Sequence, residues 1–360
     1  MLNIRKEVLR LPDFYNGNKL LSMKDINGKT PEIFMCEGNR TAGKTYFFKR
    51  LCLRRWQRGK GKFAIYCRHT YELDGAHEAF FKDLEEVDFQ GHIMDAEWAI
   101  KGICKSLMFD GEECGYAIGM WNRDVVKQKS SMFVDVGCMF MDEFQSEANK
   151  YIKDELGAFM SIHTSVARGG GKHTRYVPVF MASNGVSTIN PYFTGLGIGK
   201  RLKPDCKFMR GDGWVLERTF NKEAAQQIAD SAFARAFSDS KQMQYATGST
   251  YLLDNDNFIM CMRGEKRPMC NLIHNGNTYG IWQLEGKDVY VVSEKYDPGY
   301  PVTITCQLSS HTPASMLVKQ RTYSSGLLNA FNRGCVFFEN AYCKDAFLDV
   351  IGFTQSQKQN

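Results

Sequence analysis

The chain has 360 residues, a formal net charge of +6, and 43% hydrophobic and 24% charged residues. That is ordinary for a globular protein and long for one core, so two domains are expected. No apolar run reaches about 18 residues, and the stretch Met1–Glu7 lacks an apolar signal core, which argues against a membrane span and for a cytoplasmic location.

Ile33–Cys36 is a short apolar run read as a strand, and it ends at a glycine loop. Thr45–Trp56 follows as a helix. Between Lys44 and Lys62 the chain carries Lys49, Arg50, Arg54, Arg55, Arg58 and Lys60 with no acidic residue. This basic face is either solvated or turned toward a polyanion or an acidic neighbour. Phe63–Cys67 reads as a second buried strand, and Ile103–Phe109 and Cys114–Trp121 as a hairpin turning at Asp110-Gly111. Cys138–Met141 and Val177–Ala182 are the third and fourth apolar runs, with Pro178 near the start of the last. Four such runs separated by helical segments predict a parallel sheet covered on both faces.

Composition shifts after about Pro204. Residues 1–215 read as the first domain. Residues 216–250, partly helical over Glu223–Ser238 and rich in Ser, Gln, Gly and Thr, read as a linker. Residues 251–360 read as an α+β domain on an antiparallel meander. Its strands are Phe258–Met262, Met269–His274, Thr278–Leu284, Val289–Ser293 and Val302–Gln307. Helices are expected near Ala314–Lys319 and Leu327–Asn332, and a polar tail at Gln355–Asn360. The twelve cysteines show no C-x-x-C and no zinc spacing. Cys36, Cys52, Cys67 and Cys138 lie in or beside apolar runs and read as free buried thiols.

The glycine loop, Gly38-Asn39-Arg40-Thr41-Ala42-Gly43-Lys44-Thr45, fits G-x-x-x-x-G-K-[ST] at every position, with a strand before it and a helix after it. In such a loop successive backbone N–H groups and a helix N-terminus face the phosphates of ATP. Lys44 supplies charge to the β- and γ-phosphates, and Thr45 a hydroxyl to Mg²⁺. The third strand ends in Asp142-Glu143. Asp142 suits Mg²⁺, held through its waters, and Glu143 suits the base that polarises the attacking water. By itself this acidic pair would equally suit a helix N-terminus; paired with the glycine loop it reads as catalytic.

Ser183-Asn184 closes the fourth strand, either as a turn or as the polar element that couples the γ-phosphate to motion. Arg40 lies within the phosphate loop. Arg168 precedes Gly169-Gly170-Gly171-Lys172 and suits an arginine that completes a neighbour's site, or an incidental surface turn.

Together these residues resemble the DNA-packaging ATPases of small podophages of the Salasvirus kind, distant relatives of terminase large subunits. Ile65-Tyr66-Cys67-Arg68 resembles the family's "IYVRR", Gly115-Tyr116-Ala117-Ile118 with Trp121 its "GWAI…W", and Asp142-Glu143-Phe144 its "DEF". Ser183-Asn184-Gly185-Val186-Ser187-Thr188-Ile189-Asn190-Pro191-Tyr192-Phe193 is close to "SNAVSVVNPYF". His274-Asn275-Gly276-Asn277-Thr278-Tyr279-Gly280-Ile281-Trp282 resembles "YNGFTLGVW". The likeness runs from about Ile33 to Phe347.

The resemblance implies a P-loop ATPase domain with a RecA/terminase-like, additional-strand sheet. A smaller RNase H-like domain without nuclease carboxylates would follow. It implies a homomeric ring, a pentamer, at the portal of a prohead, pumping double-stranded DNA with ATP and Mg²⁺ in the cytoplasm of an infected bacterium, in some members with a structural packaging RNA. Carried over, Lys44, Thr45 and Asp142 bind nucleotide and Mg²⁺, Glu143 activates water, and Arg168 acts in trans once a gap of about four residues is placed in the glycine loop. Lys129, with Lys127 beside it, falls on a loop facing the pore, where charge grips backbone phosphate of any sequence. A solvated loop is the plainer reading of both lysines.

The nuclease expectation has a test in the residues. Two-metal cleavage needs carboxylates about 3.5–4 Å from shared ions. The strands Met269–His274 and Thr278–Leu284 carry none before Glu285, and Glu294, Asp297, Glu339 and Asp345 follow no strand-centre pattern. The rival readings are a helicase-type ATPase, which would usually repeat its ATPase core, a terminase with a live nuclease, and a nucleotide-binding structural component.

Overall fold

The structure, a computed structural model, describes residues 15–168, 174–199, 201–202, 206–248, 257–260, 263–318 and 325–351. Apart from 199–201, the described residues up to 248 form one compact unit and those from 257 a second.

The first unit is built on a sheet of β1 (Ile33–Gly38), β2 (Lys62–Cys67), β3 (Met94–Ile100), β4 (Cys104–Phe109), β5 (Glu112–Gly119), β6 (Val136–Met141), β7 (Val179–Asn184), β8 (Phe208–Gly211) and β9 (Trp214–Thr219). Their order is β3-β4-β5-β2-β6-β7-β1-β9-β8. From β5 to β9 in that order the strands are parallel, and the two margins turn antiparallel. All four expected strands are present, parallel and adjacent as a group. Alternate residues face alternate layers: Met35 joins one buried cluster, Phe34 and Cys36 the other. The helix Lys44–Gln57 lays Phe48, Cys52 and Leu53 on the second layer, where Phe48 stacks 5.7 Å from Phe180 and 6.2 Å from Phe140. Truncating so enclosed a ring costs about 3–5 kcal/mol. Cys36, Cys52, Cys67 and Cys138 are free and buried.

Several elements differ from the sequence expectations. The hairpin forms with Asp110 and Gly111 both at positive φ, but its second arm, β5, also continues the parallel sheet beside β2. Strand β3 escapes an apolar-run search because its residues, Met94-Asp95-Ala96-Glu97-Trp98-Ala99-Ile100, are half charged or small at an exposed margin. Strand β9 pairs with β1 from Ile33–Trp214 to Gly38–Thr219, so the first sheet runs past the boundary expected at 215. The segment read as a linker folds into the helices Lys222–Ala229, Ala232–Ala236 and Lys241–Thr247 and belongs to the first unit. Its polar composition reflects capping: the side chains of Asn221, Ser231 and Ser240 accept from the N–H groups of Ala224, Ala234 and Met243.

The second unit holds β10 (Lys266–His274), β11 (Asn277–Leu284), β12 (Tyr290–Ser293), β13 (Thr303–Thr305), β14 (Met316–Leu317) and β15 (Val336–Phe338), in the order β14-β13-β10-β11-β12-β15. Strands β10 to β12 form the expected meander, whereas β13 and β14 add in parallel beside β10 and β15 in parallel beside β12. A meander flanked on its first strand by two parallel strands is an RNase H-like order, within a mixed α/β protein dominated by its large parallel sheet. The helix expected near Ala314–Lys319 is instead β14 where it is described, Lys319 lying outside the described residues. Of the run Phe258–Met262 the described part, up to Met260, contributes a bridge from Ile259 to Phe338, and the last two residues lie outside the described residues. The helix Ser325–Asn332 matches expectation, and Ala341–Val350 is additional. Leu272, Ile281, Val292, Ile304, Phe338 and Phe347 join in the core of this unit. The tail Gln355–Asn360 lies outside the described residues.

Candidate functional site

Strands β1, β6 and β7 are parallel neighbours, so their carboxyl ends share one edge of the sheet. The phosphate-loop motif leaves β1 there, Asp142 and Glu143 leave β6, and Ser183-Asn184 closes β7. This is the edge at which open α/β sheets bind ligands.

Backbone geometry explains the glycines. Gly43 has φ 83° at the N-cap of the helix, and Thr41 also turns left-handed at φ 58°. A Cβ on Gly38 would stand 2.3 Å from the Thr219 carbonyl oxygen, so β9 as well as any bound phosphate demands glycine there. Asn39 is clasped from the far side: its Oδ1 accepts from Asn221 N at 2.8 Å and its Nδ2 donates to Asn221 O at 2.9 Å.

Lys44 is 5% exposed. Its Nζ donates to Asn39 O at 2.6 Å and to Asn184 Oδ1 at 3.4 Å. Desolvation pulls its pKa below the ordinary lysine value, against the pull of Cys36 and Asp142. A desolvated ammonium ringed by carbonyl-type acceptors is suited to a polyanion. Thr45 Oγ1 donates to Asp142 Oδ1 at 2.8 Å. The hydroxyl and carboxylate expected to share Mg²⁺ therefore already meet, and they form the hard-oxygen set that this ion takes. Desolvation raises the Asp142 carboxyl above its usual range. Desolvation also raises Glu143, reinforced by Asp142 and Glu147. Glu143 is exposed and left-handed, φ 47°.

Sequence reasoning left several participants without a role. Glu147 pairs with Arg40 and accepts from Asn184 Nδ2 at 3.3 Å and Tyr245 Oη at 3.1 Å. Desolvation alone would raise its carboxyl; Arg40, with Tyr245 and Asn184, outweighs that and holds it low. Gln145 donates to Glu37 at 2.6 Å, accepts from Val186 N and Ser187 N, and takes Ser183 Oγ on its own N–H at 3.2 Å. Thus Ser183 and Asn184 each link the end of β7 to the segment after β6. The only local signal for these residues is a polar run directly beyond an acidic strand end.

The remaining candidates lie elsewhere. Arg168 caps the helix Glu155–Ala167, exposed, in a short bridge with Thr174; among the described residues no hydrogen bond joins it to the phosphate loop. The glycines after it lie outside the described residues. Lys127 sits in the last turn of the helix Arg123–Gln128 rather than in a loop, with Lys129 just beyond it, both exposed. Two carboxylates from another part of the unit meet three of the six cations of the basic run. Lys49 pairs with Asp83, Arg50 and Arg54 pair with Asp88, and Arg55 donates to Gly137 O at 3.2 Å.

In the second unit, β10 and β13 are parallel, and His274 and Cys306 stand at their carboxyl ends. Asp349 of the helix Ala341–Val350 reaches both, 3.1 Å from His274 Nε2 and 3.4 Å from Cys306 Sγ. Of the acids named above, Glu339 accepts from Glu294 N at 2.9 Å and Asp297 from Gly299 N at 2.9 Å. Among the described residues no three His, Cys, Asp or Glu side chains are placed to hold a metal.

Known proteins resemble this chain over most of its length. The model of the family described as Podovirus DNA encapsidation protein (Gp16) matches residues 11–354. The "DNA packaging protein" of Bacillus phage phi29 is 24% identical over 347 residues, covering 94% of this chain and 97% of that one. The chain is also similar in fold to one in the phi29 viral genome packaging motor assembly (TM-score 0.65, 21% identity, covering 97% of this chain and all of that one). The Phi-28 gp11 DNA packaging motor is a further structural match (TM-score 0.61, 16% identity, 94% and 98% covered).

Proposed function

The chain belongs to the Podovirus DNA encapsidation protein (Gp16) family, and from that premise we propose that it is an ATP-hydrolysing motor that drives double-stranded viral DNA into a preformed prohead. The observation that carries the reading is the meeting of Thr45 and Asp142 at 2.8 Å beside the buried Lys44, at the carboxyl ends of the parallel strands β1 and β6 on either side of β7. We place its work in the cytoplasm of an infected bacterium, as a homomeric ring, a pentamer, docked transiently on the portal. A packaging RNA is a further partner in this proposal.

Thr45 Oγ1 and the Asp142 carboxylate would hold Mg²⁺, which would supply charge neutralisation at the phosphates. The N–H groups from Gly38 to Thr45 cradle the β- and γ-phosphates, and Lys44 adds an ammonium whose desolvation strengthens its field there. Glu143 accepts the proton of the attacking water; its raised pKa lies nearer the working pH than that of an ordinary carboxylate, which favours general-base work. Arg40 and Asn184 meet at Glu147, so a phosphate drawing Arg40 inward would also change what Asn184 holds. Arg168, exposed on its helix cap, serves a neighbouring subunit's site, and Lys127 and Lys129 contact DNA phosphates.

The second unit serves as a binding module without nuclease activity. At the carboxyl ends of β10 and β13 the Asp349 carboxylate is engaged by His274, and among the described residues no group of three His, Cys, Asp or Glu is placed to hold a metal, whereas two-metal cleavage requires shared carboxylates. Its sheet order differs from that of the first unit, which disfavours a helicase with a repeated core.

The test is the steady-state ATPase rate with and without long double-stranded DNA across a salt series, first with purified protein and then on proheads. Stimulation by DNA that fades as salt rises is expected. A rate indifferent to DNA in both settings overturns the motor reading.

A further inference from the structure

Arg68 follows β2, the strand beside β6, and is 5% exposed. Its Nε donates to both carboxylate oxygens of Glu155, at 3.0 and 2.9 Å, and its Nη2 to Oε1 at 2.8 Å. Glu155 is itself 2% exposed and fixed by Tyr192 Oη at 2.8 Å and Ile152 N at 3.1 Å. The other edge of the guanidinium reaches the segment after β6. Nη1 donates to Glu143 O at 3.1 Å, and Nη2 to Phe144 O at 3.1 Å. Only a planar fork of five donors spans a carboxylate on one side and two consecutive carbonyls on the other.

Glu143 is left-handed, φ 47°, a conformation that a non-glycine residue keeps only where its surroundings over-determine it. Phe144 N, donating to Ala182 O at 3.3 Å, holds the segment from the β7 side, and Arg68 holds it from the β2 side. We propose that Arg68 is the positioning residue of Glu143: braced by Glu155, it fixes the two carbonyls that set the left-handed turn and thereby the placement of the carboxylate against the attacking water. The inference rests on the reading of Glu143 as the base. The Arg68 guanidinium is committed to Glu155 and to the carbonyls of Glu143 and Phe144, so it should act on turnover and leave nucleotide affinity alone.

The test is Arg68→Lys, which keeps the charge opposite Glu155 but not the fork. Expected are a folded protein with a lowered thermal midpoint, a fluorescent ATP analogue bound within about twofold of parental affinity, an unchanged KM, and kcat lower by up to about 10²-fold, the scale of a misplaced catalytic group. A folded Arg68→Lys protein with parental kcat overturns the proposal, as does a loss of activity that only tracks the folded fraction. If lysine unfolds the protein, the double variant Arg68→Met with Glu155→Leu leaves neither buried charge unpaired. The same fall in kcat is expected of it, and parental kcat in that folded variant is equally fatal. Glu143→Gln separates the two readings. Its inactivity alongside an active Arg68→Lys removes this inference alone, whereas parental turnover in Glu143→Gln removes the base assignment and this inference with it.

Discussion

The carboxyl ends of β1, β6 and β7 and those of β10 and β13 are equivalent places in their two sheets, and the chain uses them in opposite ways. At the first, two carboxyls in succession, Asp142 and Glu143, are raised by desolvation, and a lysine is brought in at 5% exposure, donating to two carbonyl-type acceptors. At the second, one carboxylate meets one imidazole and a thiol. The first cluster holds charge that a ligand would complete; the second completes itself. The same location in a fold thus says where chemistry is feasible, and the residue types say whether it occurs.

The largest expected effects would break this contrast at its active end. Lys44→Ala or Asp142→Ala should lower ATP turnover by about 10³-fold or more, because the first removes the ammonium aimed at the transferring phosphate and the second the carboxylate placed to hold Mg²⁺. Glu143→Gln should bind a nucleotide analogue with near-parental affinity and stall. Near-parental ATPase rates in any of the three would mean that the cluster is structural, like its counterpart. Next in size is Arg168→Ala, expected to act across subunits. Mixed rings with Glu143→Gln should regain part of the activity that neither variant shows alone, read as ATPase rate against mixing ratio, and no rescue at any ratio would return Arg168 to the role of a helix cap.

The self-satisfied end gives a smaller and different signature. Asp349→Ala should leave ATP turnover unchanged and lower stability by about 1–3 kcal/mol, since it removes the carboxylate that meets the buried His274 and the half-buried Cys306. Thermal unfolding measures the second and the steady-state rate the first. The parent protein should leave supercoiled plasmid intact in Mn²⁺; protein-dependent nicking would show that the second crevice is not quenched.

How much was readable in advance follows the same division. The phosphate loop and the acids after β6 were legible because each is a contiguous pattern whose neighbours, an apolar strand before and a helix after, are also contiguous. Strands β3 and β9 were not, since an exposed margin needs no apolar run and β9 shows its place only through pairing with β1, far off in sequence. The capped helices from Lys222 to Thr247 passed for a linker because serine and asparagine serve both as loop formers and as helix caps. Asn221, Glu147 and Tyr245 enter the site through contacts 182, 107 and 98 residues away, a range at which residue type alone carries no signal.

The smallest expected effect on stability sharpens the comparison most. Arg40 and Glu147 form an ion pair where His274 and Asp349 form a hydrogen bond, and their side chains are 44% and 30% exposed. An exposed pair of this kind contributes only about 0–1 kcal/mol, so Glu147→Gln should barely move the thermal midpoint. Its carboxylate nevertheless joins Arg40 of the phosphate loop, Asn184 of β7 and Tyr245 of the helix Lys241–Thr247. If the active end is built for exchange of partners, Glu147→Gln should alter ATP turnover, and its stimulation by DNA, far more than it alters stability. Asp349→Ala should do the reverse. Equal and small effects of Glu147→Gln on rate and midpoint would make the pair an ordinary surface contact and leave Arg40 to the phosphates alone.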